Sequence, residues 1–268
     1  MTNRLAPIIA QKKREIVALQ AMLQAQPEHV MLSFLQGKAQ RVALKSFKQA
    51  LQGSTLSVIA EIKRKSPSKG HLAPIVDPIA LAQTYIAAGA SALSILTDER
   101  FFNGTLADLS SVAQACGKQP TPILRKDFVV DVIQIAEAVT AGADAILAIV
   151  AVLGNETKTI LNAAKAMGVD VLVEVHTEAE LMLALDSGAE IIGVNNRDLT
   201  TFQVDVDRAF QLLQHIPKGI VSVAESGINR PELARDYHQA GFDAVLIGEA
   251  LVTSDSPELF MRGCCHAN

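Results

Sequence analysis

Apolar residues recur along this chain in short, nearly continuous runs, and several of these runs follow an alanine-rich stretch that ends at a glycine. The joints read Ala-Gly-Ala-Ser-Ala at 88–92, Ala-Gly-Ala-Asp-Ala at 141–145, Met-Gly-Val-Asp-Val at 167–171, Ser-Gly-Ala-Glu-Ile at 187–191 and Ala-Gly-Phe-Asp-Ala at 240–244. A glycine in this position can take the left-handed conformation that ends a helix. The repeated joint therefore predicts helices that each lead into a strand of a βα repeat.

The apolar runs predict eight strands, and their composition is typical of a sheet covered on both faces. We expect strands near 57–63, 92–97, 121–126, 144–150, 170–175, 190–195, 220–225 and 243–248. Each of the first seven is followed by about 20 to 30 residues, which is room for a helix. An α/β fold of the (β/α)8 TIM barrel type is predicted. A doubly wound open sheet is the alternative, but the eight regular units show no obvious halves.

An N-terminal segment precedes the first predicted strand, and its apolar residues have helical spacing. The residues with this amphipathic spacing are Leu5, Ile8, Ile9, Lys12, Ile16, Leu19 and Leu23. We expect one domain over 1–268, in which 1–50 is a helical extension over one end of the barrel, 51–256 is the barrel and 257–268 is a C-terminal helix or tail. A flexible tail is expected around Cys264, Cys265 and His266.

Composition narrows the class of protein. The chain has 268 residues, a net charge of −4 and no long basic run, which argues against a nucleic-acid-binding protein. The start of the chain lacks a secretory signal pattern, and the longest apolar run, 145–153, is far shorter than the roughly 20 residues that span a bilayer. We expect a cytoplasmic protein with neither a membrane nor a nucleic-acid partner. The three cysteines suit neither a disulfide framework nor a metal site.

Glu61 and Lys63 lie near the end of the first predicted strand, where residues two apart share a face. Two charges inside a barrel are costly unless they pair or do chemistry. A structural ion pair is one interpretation. The active sites of such barrels lie at the C-terminal ends of the strands. Polar residues also follow nearly all of the remaining predicted strands. These residues are Thr97 to Arg100, Arg125 to Asp127, Glu174, His176, Asn195 to Arg197, Glu225 to Gly227, Gly248 and Glu249.

Glycines after the last two strands suggest a phosphate site, because they let the backbone approach an anion. Together with Ser66 and its neighbouring lysines, Ser226, Gly227 and Gly248 favour a phosphorylated substrate. Buried lysines and carboxylates in one pocket suggest proton transfer, since burial moves the pKa of both toward neutrality. A lysine can also form a Schiff base, as in barrel aldolases. No nucleotide-binding fingerprint or metal-ligand spacing is present, and His176 has no histidine partner nearby, so we expect no cofactor and no metal.

The motifs resemble those of the indole-3-glycerol-phosphate synthase family, in order and over essentially the whole chain. They are Val-Ile-Ala-Glu-Ile-Lys-Arg-Lys-Ser-Pro-Ser (58–68), Leu-Arg-Lys-Asp-Phe (124–128), Val-Glu-Val-His (173–176), Gly-Val-Asn-Asn-Arg-Asp-Leu (193–199) and Ala-Glu-Ser-Gly-Ile (224–228). The resemblance implies a barrel enzyme of tryptophan biosynthesis. Such an enzyme converts 1-(2-carboxyphenylamino)-1-deoxyribulose 5-phosphate to indole-3-glycerol phosphate, with loss of carbon dioxide and water.

The resemblance also implies roles for individual residues. Lys126 is expected to protonate the substrate carbonyl oxygen, and Lys63 to engage the substrate carboxylate and share in proton donation. Glu174 is expected to remove the proton during dehydration, while Glu61 orients the lysines and balances their charge. Asn195 and Glu225 are expected to complete the polar shell. The expected contacts with the substrate or its phosphate are Ser66, Arg197, Ser226, Gly227 and Gly248. The candidates for an apolar wall around the aromatic ring are Phe102, Phe128, Leu147 and Leu199.

Two departures from the family pattern stand out. Val132 and Ile133 stand before Gln134 where the family usually has Pro-Tyr before the glutamine, and Glu249 occupies a position where some members have a small polar phosphate ligand. At 268 residues the chain has no room for a second barrel, so we expect a monofunctional enzyme, as a monomer or weak homodimer.

Three alternatives to the synthase remain. A phosphosugar isomerase would need a cysteine–aspartate pair near strand ends, but Cys116 lies in a predicted helix. A Schiff-base aldolase would be trapped by borohydride. A binding barrel without activity would be expected to lack Lys63, Lys126 or Glu174, all of which are present.

Overall fold

Eight parallel strands close into a barrel in the part of the chain that the computed structural model describes, residues 5–41, 45–66 and 69–265. Each strand lies within two residues of its predicted position. They are β1 (Ser57–Ile62), β2 (Ala92–Leu96), β3 (Ile123–Lys126), β4 (Ala145–Ile149), β5 (Asp170–Val175), β6 (Ile191–Asn195), β7 (Val221–Glu225) and β8 (Ala244–Ile247). β1 pairs with both β2 and β8, which closes the sheet. The predicted closed barrel is confirmed, and the open sheet is excluded.

Helices surround the barrel and connect successive strands. Their bounds are α1 (Leu5–Ala25), α2 (Val30–Leu35), α3 (Phe47–Ala50), α4 (Pro78–Ala87), α5 (Glu99–Phe102), α6 (Leu106–Ala115), α7 (Val132–Ala141), α8 (Val150–Leu153), α9 (Thr157–Met167), α10 (Glu178–Asp186), α11 (Asp207–Leu213), α12 (Pro231–Ala240), α13 (Glu249–Val252) and α14 (Pro257–Cys265). A 3-10 turn, Gly154–Glu156, precedes α9, and a two-residue antiparallel ladder joins Lys65–Ser66 to Gly70–His71 after β1.

The glycine joints behave as the sequence predicts. All five of their glycines have φ between 77° and 116°, the region that costs an L-residue conformational energy. Several helices begin at side-chain caps, such as the reciprocal Thr105–Asp108 and Asp131–Gln134 capping boxes of α6 and α7. In α7 a polar start and a glycine end together fix where the helix meets the sheet.

Alternate residues of each strand separate two apolar layers. In β1, Val58, Ala60 and Ile62 pack against the surrounding helices, whereas Ile59 belongs to the barrel interior with Leu124 and other inward side chains. Since both layers are apolar, the strands have no polar face. The interior becomes polar only near the carboxyl ends of the strands.

The N-terminal extension covers the barrel at both ends, which is more than the predicted cover over one end. Ile8 of α1 joins the barrel interior, and Lys12 of α1 pairs with acidic residues just after β2 and β3. At the other end, Phe47 of α3 is fully buried in the interior, and the backbone N–H of Lys48 donates to Asp170 at the start of β5.

The C-terminal segment is helical up to Cys265, so the expectation of a flexible tail around Cys264 and Cys265 is wrong. Met261 and Cys264 are buried against the barrel's outer helices, because α14 packs on α12 and α4. His266 lies outside the described residues. Among the helices described, none combines the length and the apolar character needed to cross a membrane.

Candidate active site

A cavity of about 670 Å³ opens at the carboxyl ends of the barrel strands. Every residue that the sequence singles out for catalysis or binding lines it. They are Glu61, Lys63, Ser66, Phe102, Lys126, Phe128, Glu174, Asn195, Arg197, Glu225, Ser226, Gly227 and Gly248, joined by the two further wall candidates Leu147 and Leu199. Pro67 and Ser68 of the first motif lie outside the described residues.

Lys126 stands at the centre of the charged groups. Its Nζ lies 3.5 Å from Glu225 Oε2 and 3.7 Å from Glu174 Oε2. Burial alone would lower the pKa of Lys126, but the charges of Glu225, Glu174 and Glu61 outweigh burial and raise it above its ordinary value. The expectation that burial moves this lysine toward neutrality is therefore wrong, because three carboxylates surround one ammonium.

The three carboxyl groups respond differently to their surroundings. Burial opposes ionisation of Glu174, but Lys126 and His176 prevail and hold its pKa at about 2. Burial likewise opposes ionisation of Glu61, whose pKa is nevertheless lowered by Lys63 and Lys126. For Glu225, burial together with the charges of Glu174 and Glu61 outweighs Lys126 and raises the pKa to about 7. The predicted shift toward neutrality holds for Glu225 and fails for the other two.

Glu61 and Lys63 share the interior face of their segment, as their spacing predicts. Lys63 Nζ lies 2.5 Å from Glu61 Oε1, and the lysine side chain keeps 18% of its surface exposed toward the cavity. The ion pair is real, but it lines the cavity instead of being sealed in the core. Its cation can therefore meet an anionic ligand.

Two interior glycines make room for the carboxylates. A Cβ at Gly193 would overlap Glu225 Oε1, and a Cβ at Gly248 would overlap Glu61 Oε1 and approach Lys63 Nζ. The sequence predicts that Gly248 binds phosphate. The structure shows a second reason for a glycine at this position, since any side chain would overlap Glu61. Gly193 was missed as a functional position, although its place on the interior face of β6, two residues before Asn195, was readable from the sequence.

We expect Gly193→Ala to lower kcat roughly 100-fold, because the new methyl group displaces the Glu225 carboxylate from Lys126, and misplacement of about 1 Å has effects of this size. Gly53→Ala is the matched control, since a Cβ there meets only ordinary contacts. Steady-state kinetics of both variants tests this. Shortening the displaced side chain with Glu225→Asp in the Gly193→Ala background should recover part of the activity. Normal kcat in Gly193→Ala would contradict the packing argument.

An apolar wall occupies the side of the cavity near β3. The rings of Phe102 and Phe128 lie 6.1 Å apart, and Phe128 is 9% exposed. Leu5 and Ile8 of α1 line the cavity as well, and they were missed because nothing in the sequence shows which end of the barrel α1 covers.

The opposite side of the cavity carries backbone turns and polar groups. Ser226 and Gly227 have φ of 66° and 81°, so the chain turns sharply after β7. The Arg197 guanidinium donates to the carbonyl oxygen of Phe202 at 3.1 Å. Glu249, which was expected to repel phosphate unless it pointed away, forms an ion pair with Lys69. Its charge is thus balanced at the cavity's edge.

Some polar residues at the strand ends bond other parts of the protein and do not point only into the cavity. Asp127 touches the cavity but bonds Lys12 of α1 at 2.8 Å, and Asp98 bonds the same ammonium at 2.9 Å. Arg125 points outward to Glu137 of α7 at 2.8 Å. Within the described residues, no group of three or more histidine, cysteine or acidic side chains is arranged to hold a metal ion.

Comparison with known proteins identifies the family of the chain. The family model for indole-3-glycerol phosphate synthase matches residues 5–263. The proteins called indole-3-glycerol phosphate synthase from Opitutus terrae and Chlorobium phaeovibrioides are 45% and 44% identical to this chain, over 96% and 93% of it and 96% and 95% of their own lengths.

Among solved structures, 3-hexulose-6-phosphate synthase from Salmonella typhimurium is similar with a TM-score of 0.61 and 14% identity. The match covers 78% of this chain and 96% of that one. At this identity the likeness concerns the fold alone.

Proposed function

Because the chain belongs to the indole-3-glycerol phosphate synthase family, we propose that the cavity at the carboxyl ends of its strands carries out the synthase reaction. The reaction converts 1-(2-carboxyphenylamino)-1-deoxyribulose 5-phosphate to indole-3-glycerol phosphate in tryptophan biosynthesis, with release of carbon dioxide and water. The observation that carries the assignment of the site is the placement of Lys126 between Glu174 and Glu225 in a cavity that also holds the Glu61–Lys63 pair.

Ring closure requires an acid at the substrate carbonyl. As the aromatic carbon attacks, negative charge develops on the carbonyl oxygen, and a positioned ammonium stabilises it and transfers its proton. Lys126 suits this role, because the carboxylates around it keep it protonated until the substrate oxygen competes for the proton. Lys63 engages the substrate carboxylate, which loses carbon dioxide and restores the aromatic ring, and shares in proton donation.

The proton balance of the later step explains the carboxylate beside Lys126. Dehydration supplies one proton to the departing hydroxyl group and removes one from the adjacent ring carbon. We assign the removal to Glu174, whose low pKa rises once Lys126 has given up its proton, because the main charge that keeps Glu174 ionised is then gone. At 3.7 Å, Glu174 can return the proton to Lys126. Over the whole reaction, departure of the carboxylate as carbon dioxide consumes one proton from solvent.

The remaining cavity residues bind and orient the substrate. We assign the aryl ring to the wall that contains Phe102 and Phe128, and the phosphate to the opposite side with Arg197, Ser226 and Gly227. Ser66 and Gly248 complete the phosphate side, while Glu61, Asn195 and Glu225 hold the lysines and Glu174 in place. Glu61 does so through Lys63. Separating the two ends of the substrate in this way leaves its reacting carbons near Lys126.

The geometry favours the synthase over the two enzymatic alternatives. A Schiff-base lysine must lose its proton to attack a carbonyl, whereas the carboxylates around Lys126 raise its pKa. Cys116, which a cysteine-dependent isomerase would need at the site, caps the end of α6 and is not among the residues that line the cavity. We also propose that the enzyme acts in the cytoplasm, without a cofactor or metal, as a monomer or weak homodimer.

A fluorescence assay tests the function directly. Purified protein is mixed with the carboxyphenylamino-deoxyribulose phosphate in the presence of EDTA, and indole-glycerol-phosphate fluorescence is expected to appear. Folded protein that binds substrate without producing fluorescence would contradict the proposal. Borohydride trapping with a carbonyl substrate would then test for an aldolase.

Glu225 gives the reaction a predicted pH dependence. Its pKa of about 7 means that it gains a negative charge as the pH rises through neutrality, beside the site of an anionic substrate. We therefore expect kcat/KM to fall between about pH 6 and pH 8, and Glu225→Gln to flatten this fall. Comparing the two proteins on the same substrate removes the titration of the substrate phosphate itself. An unchanged profile in Glu225→Gln would assign the titration to another group.

A further inference from the structure

His176 lies directly behind Glu174, outside the cavity lining, and its ring stands between two carboxylates. Nε2 is 3.3 Å from Glu174 Oε1, and Nδ1 is 3.2 Å from Glu180 Oε2. The imidazole is 8% exposed, and the Glu174 side chain is 1% exposed. The Nδ1 contact with Glu180 is a hydrogen bond, whereas Nε2 and Glu174 Oε1 are within ion-pair distance without forming one.

Two carboxylates on either side of the ring favour its charged form. A neutral imidazole carries one N–H and has a lone pair on its other nitrogen, so it would present that lone pair to one of the two carboxylates. The imidazolium ion instead places a positive charge between the two carboxylates. Burial acts against this charge, but Glu174 and Glu180 outweigh it and raise the pKa of His176 to about 9.

Glu180 fixes the ring through two contacts. Its Oε2 accepts both the His176 backbone N–H, at 2.8 Å, and the ring Nδ1. Glu180 itself stands in the first turn of α10, where the Thr177 side chain caps the helix by accepting the Glu180 backbone N–H. Among the described residues, Glu174 of β5 and Glu180 of α10 lie within ion-pair distance of the ring. Lys126 of β3 lies on the far side of Glu174.

We propose that His176 is a positioning residue of the reaction: as an imidazolium held by Glu180, it fixes the Glu174 carboxylate in its ionised form beside Lys126. The inference rests on the proposed function, because it deepens the role of Glu174 as the proton acceptor. When Lys126 transfers its proton to the substrate, Glu174 loses the charge on one side. His176 then supplies the remaining cation that keeps the carboxylate oriented.

The first test measures the protonation of the ring without any substrate. In protein labelled with ¹⁵N-histidine, one of the six histidines should have both ring nitrogens protonated at pH 8, where an ordinary histidine is neutral. That signal should be missing from His176→Gln. In Glu180→Gln it should titrate at least about one pH unit lower, because one of its two carboxylate partners is gone. A neutral ring in the wild type at pH 8 would overturn the proposal.

The second test measures catalysis. We expect His176→Gln to lower kcat about 10- to 100-fold with KM changed less than about threefold, and to move the acid limb of kcat upward by about one pH unit or more, since Glu174 protonates more easily without its cation. His215→Gln is the matched control, because His215 pairs with another glutamate of α10, Glu178, at 3.9 Å and is 40% exposed. The control should behave like the wild type.

The outcomes separate this inference from the proposed function. A wild-type protein without synthase activity contradicts the function, while the NMR result still decides the protonation of His176. An active wild type with a His176→Gln variant of unchanged kcat and pH profile overturns the positioning role, and so does a lower kcat with no movement of the acid limb. If His176→Gln does not fold, Glu180→Gln keeps the histidine and must show the same shift in a weaker form.

Discussion

Replacing Lys126 by alanine is expected to lower kcat about 1,000-fold or more and to change KM within about threefold. The reason is that the lysine donates its proton in the transition state, and loss of a general acid and of its charge at the reacting oxygen removes stabilisation of this size. Steady-state kinetics of the variant measures it. Lys118→Ala, at an exposed position, is the control. Turnover equal to that of the wild type would contradict the assignment of Lys126 as the acid.

The same substitution should change stability in a way that depends on pH. Without Lys126, Glu174 and Glu225 remain buried and have lost the cation they share, so the pKa of Glu174 in the folded state rises above its unfolded value and that of Glu225, already raised, rises further. A carboxyl group with a raised pKa in the folded protein contributes stability at low pH that is lost as the pH rises through its folded value.

We therefore expect urea unfolding of Lys126→Ala to show a deficit of about 3–5 kcal/mol at pH 8 that becomes smaller toward pH 5. Adding Glu225→Gln should recover part of the loss at pH 8, because one of the buried charges is then absent. A deficit that is equal at both pH values would mean that the carboxylates do not depend on Lys126 for their charge balance.

The barrel could be predicted from the sequence because its signals are local. Each strand is an apolar run buried on both faces, and five of the preceding helices end at a glycine in the left-handed conformation, as Gly142 and Gly241 show. The position of the site followed from the same signals, since the carboxyl ends of parallel strands converge. Glu61 and Lys63 could even be assigned to one face by counting residues.

What could not be predicted depends on contacts between distant segments. The carboxylates of Glu61, Glu174 and Glu225 raise the pKa of Lys126, and three other strands bring them next to it. No local sequence pattern shows how many charges will surround this lysine. For His176 the sequence did contain a partial signal, because Glu174 and His176 are two residues apart and Glu180 is one helical turn further on. The sequence does not show in which direction the His176 side chain leaves the end of β5, so its contacts could not be predicted.

Lys12 is a residue whose partners only the structure identifies. Its spacing places it among the apolar residues of an amphipathic helix. Its side chain is 2% exposed, and its Nζ contacts Asp127 at 2.8 Å and Asp98 and Glu15 at 2.9 Å. Burial disfavours the charge, yet Asp127 and Asp98 raise the pKa of Lys12 above its ordinary value. A single buried ammonium thus fastens α1 to the residues that follow β2 and β3, one of which is next to Lys126.

We expect Lys12→Met to destabilise the protein by about 3–5 kcal/mol, because it leaves buried Asp98 without its cation and Asp127 with Arg125 as its remaining one. Lys13→Met, at the exposed neighbouring position, should change stability by less than about 0.5 kcal/mol. Urea unfolding of the two variants compares the same side-chain change at a buried and at an exposed position of one helix.

Removing the Lys12 ion pairs should also weaken substrate binding, because Leu5 and Ile8 of the same helix line the cavity. If α1 loosens, part of the apolar wall is lost, and we expect KM to rise roughly tenfold, equal to about 1.4 kcal/mol, with a smaller change in kcat. Adding Asp98→Asn removes one stranded charge and should restore part of the stability. It should leave KM high, because the amide and the methionine do not rebuild the ion pair that holds α1. A Lys12→Met protein with normal stability and normal KM would show that the helix is held by its apolar face alone.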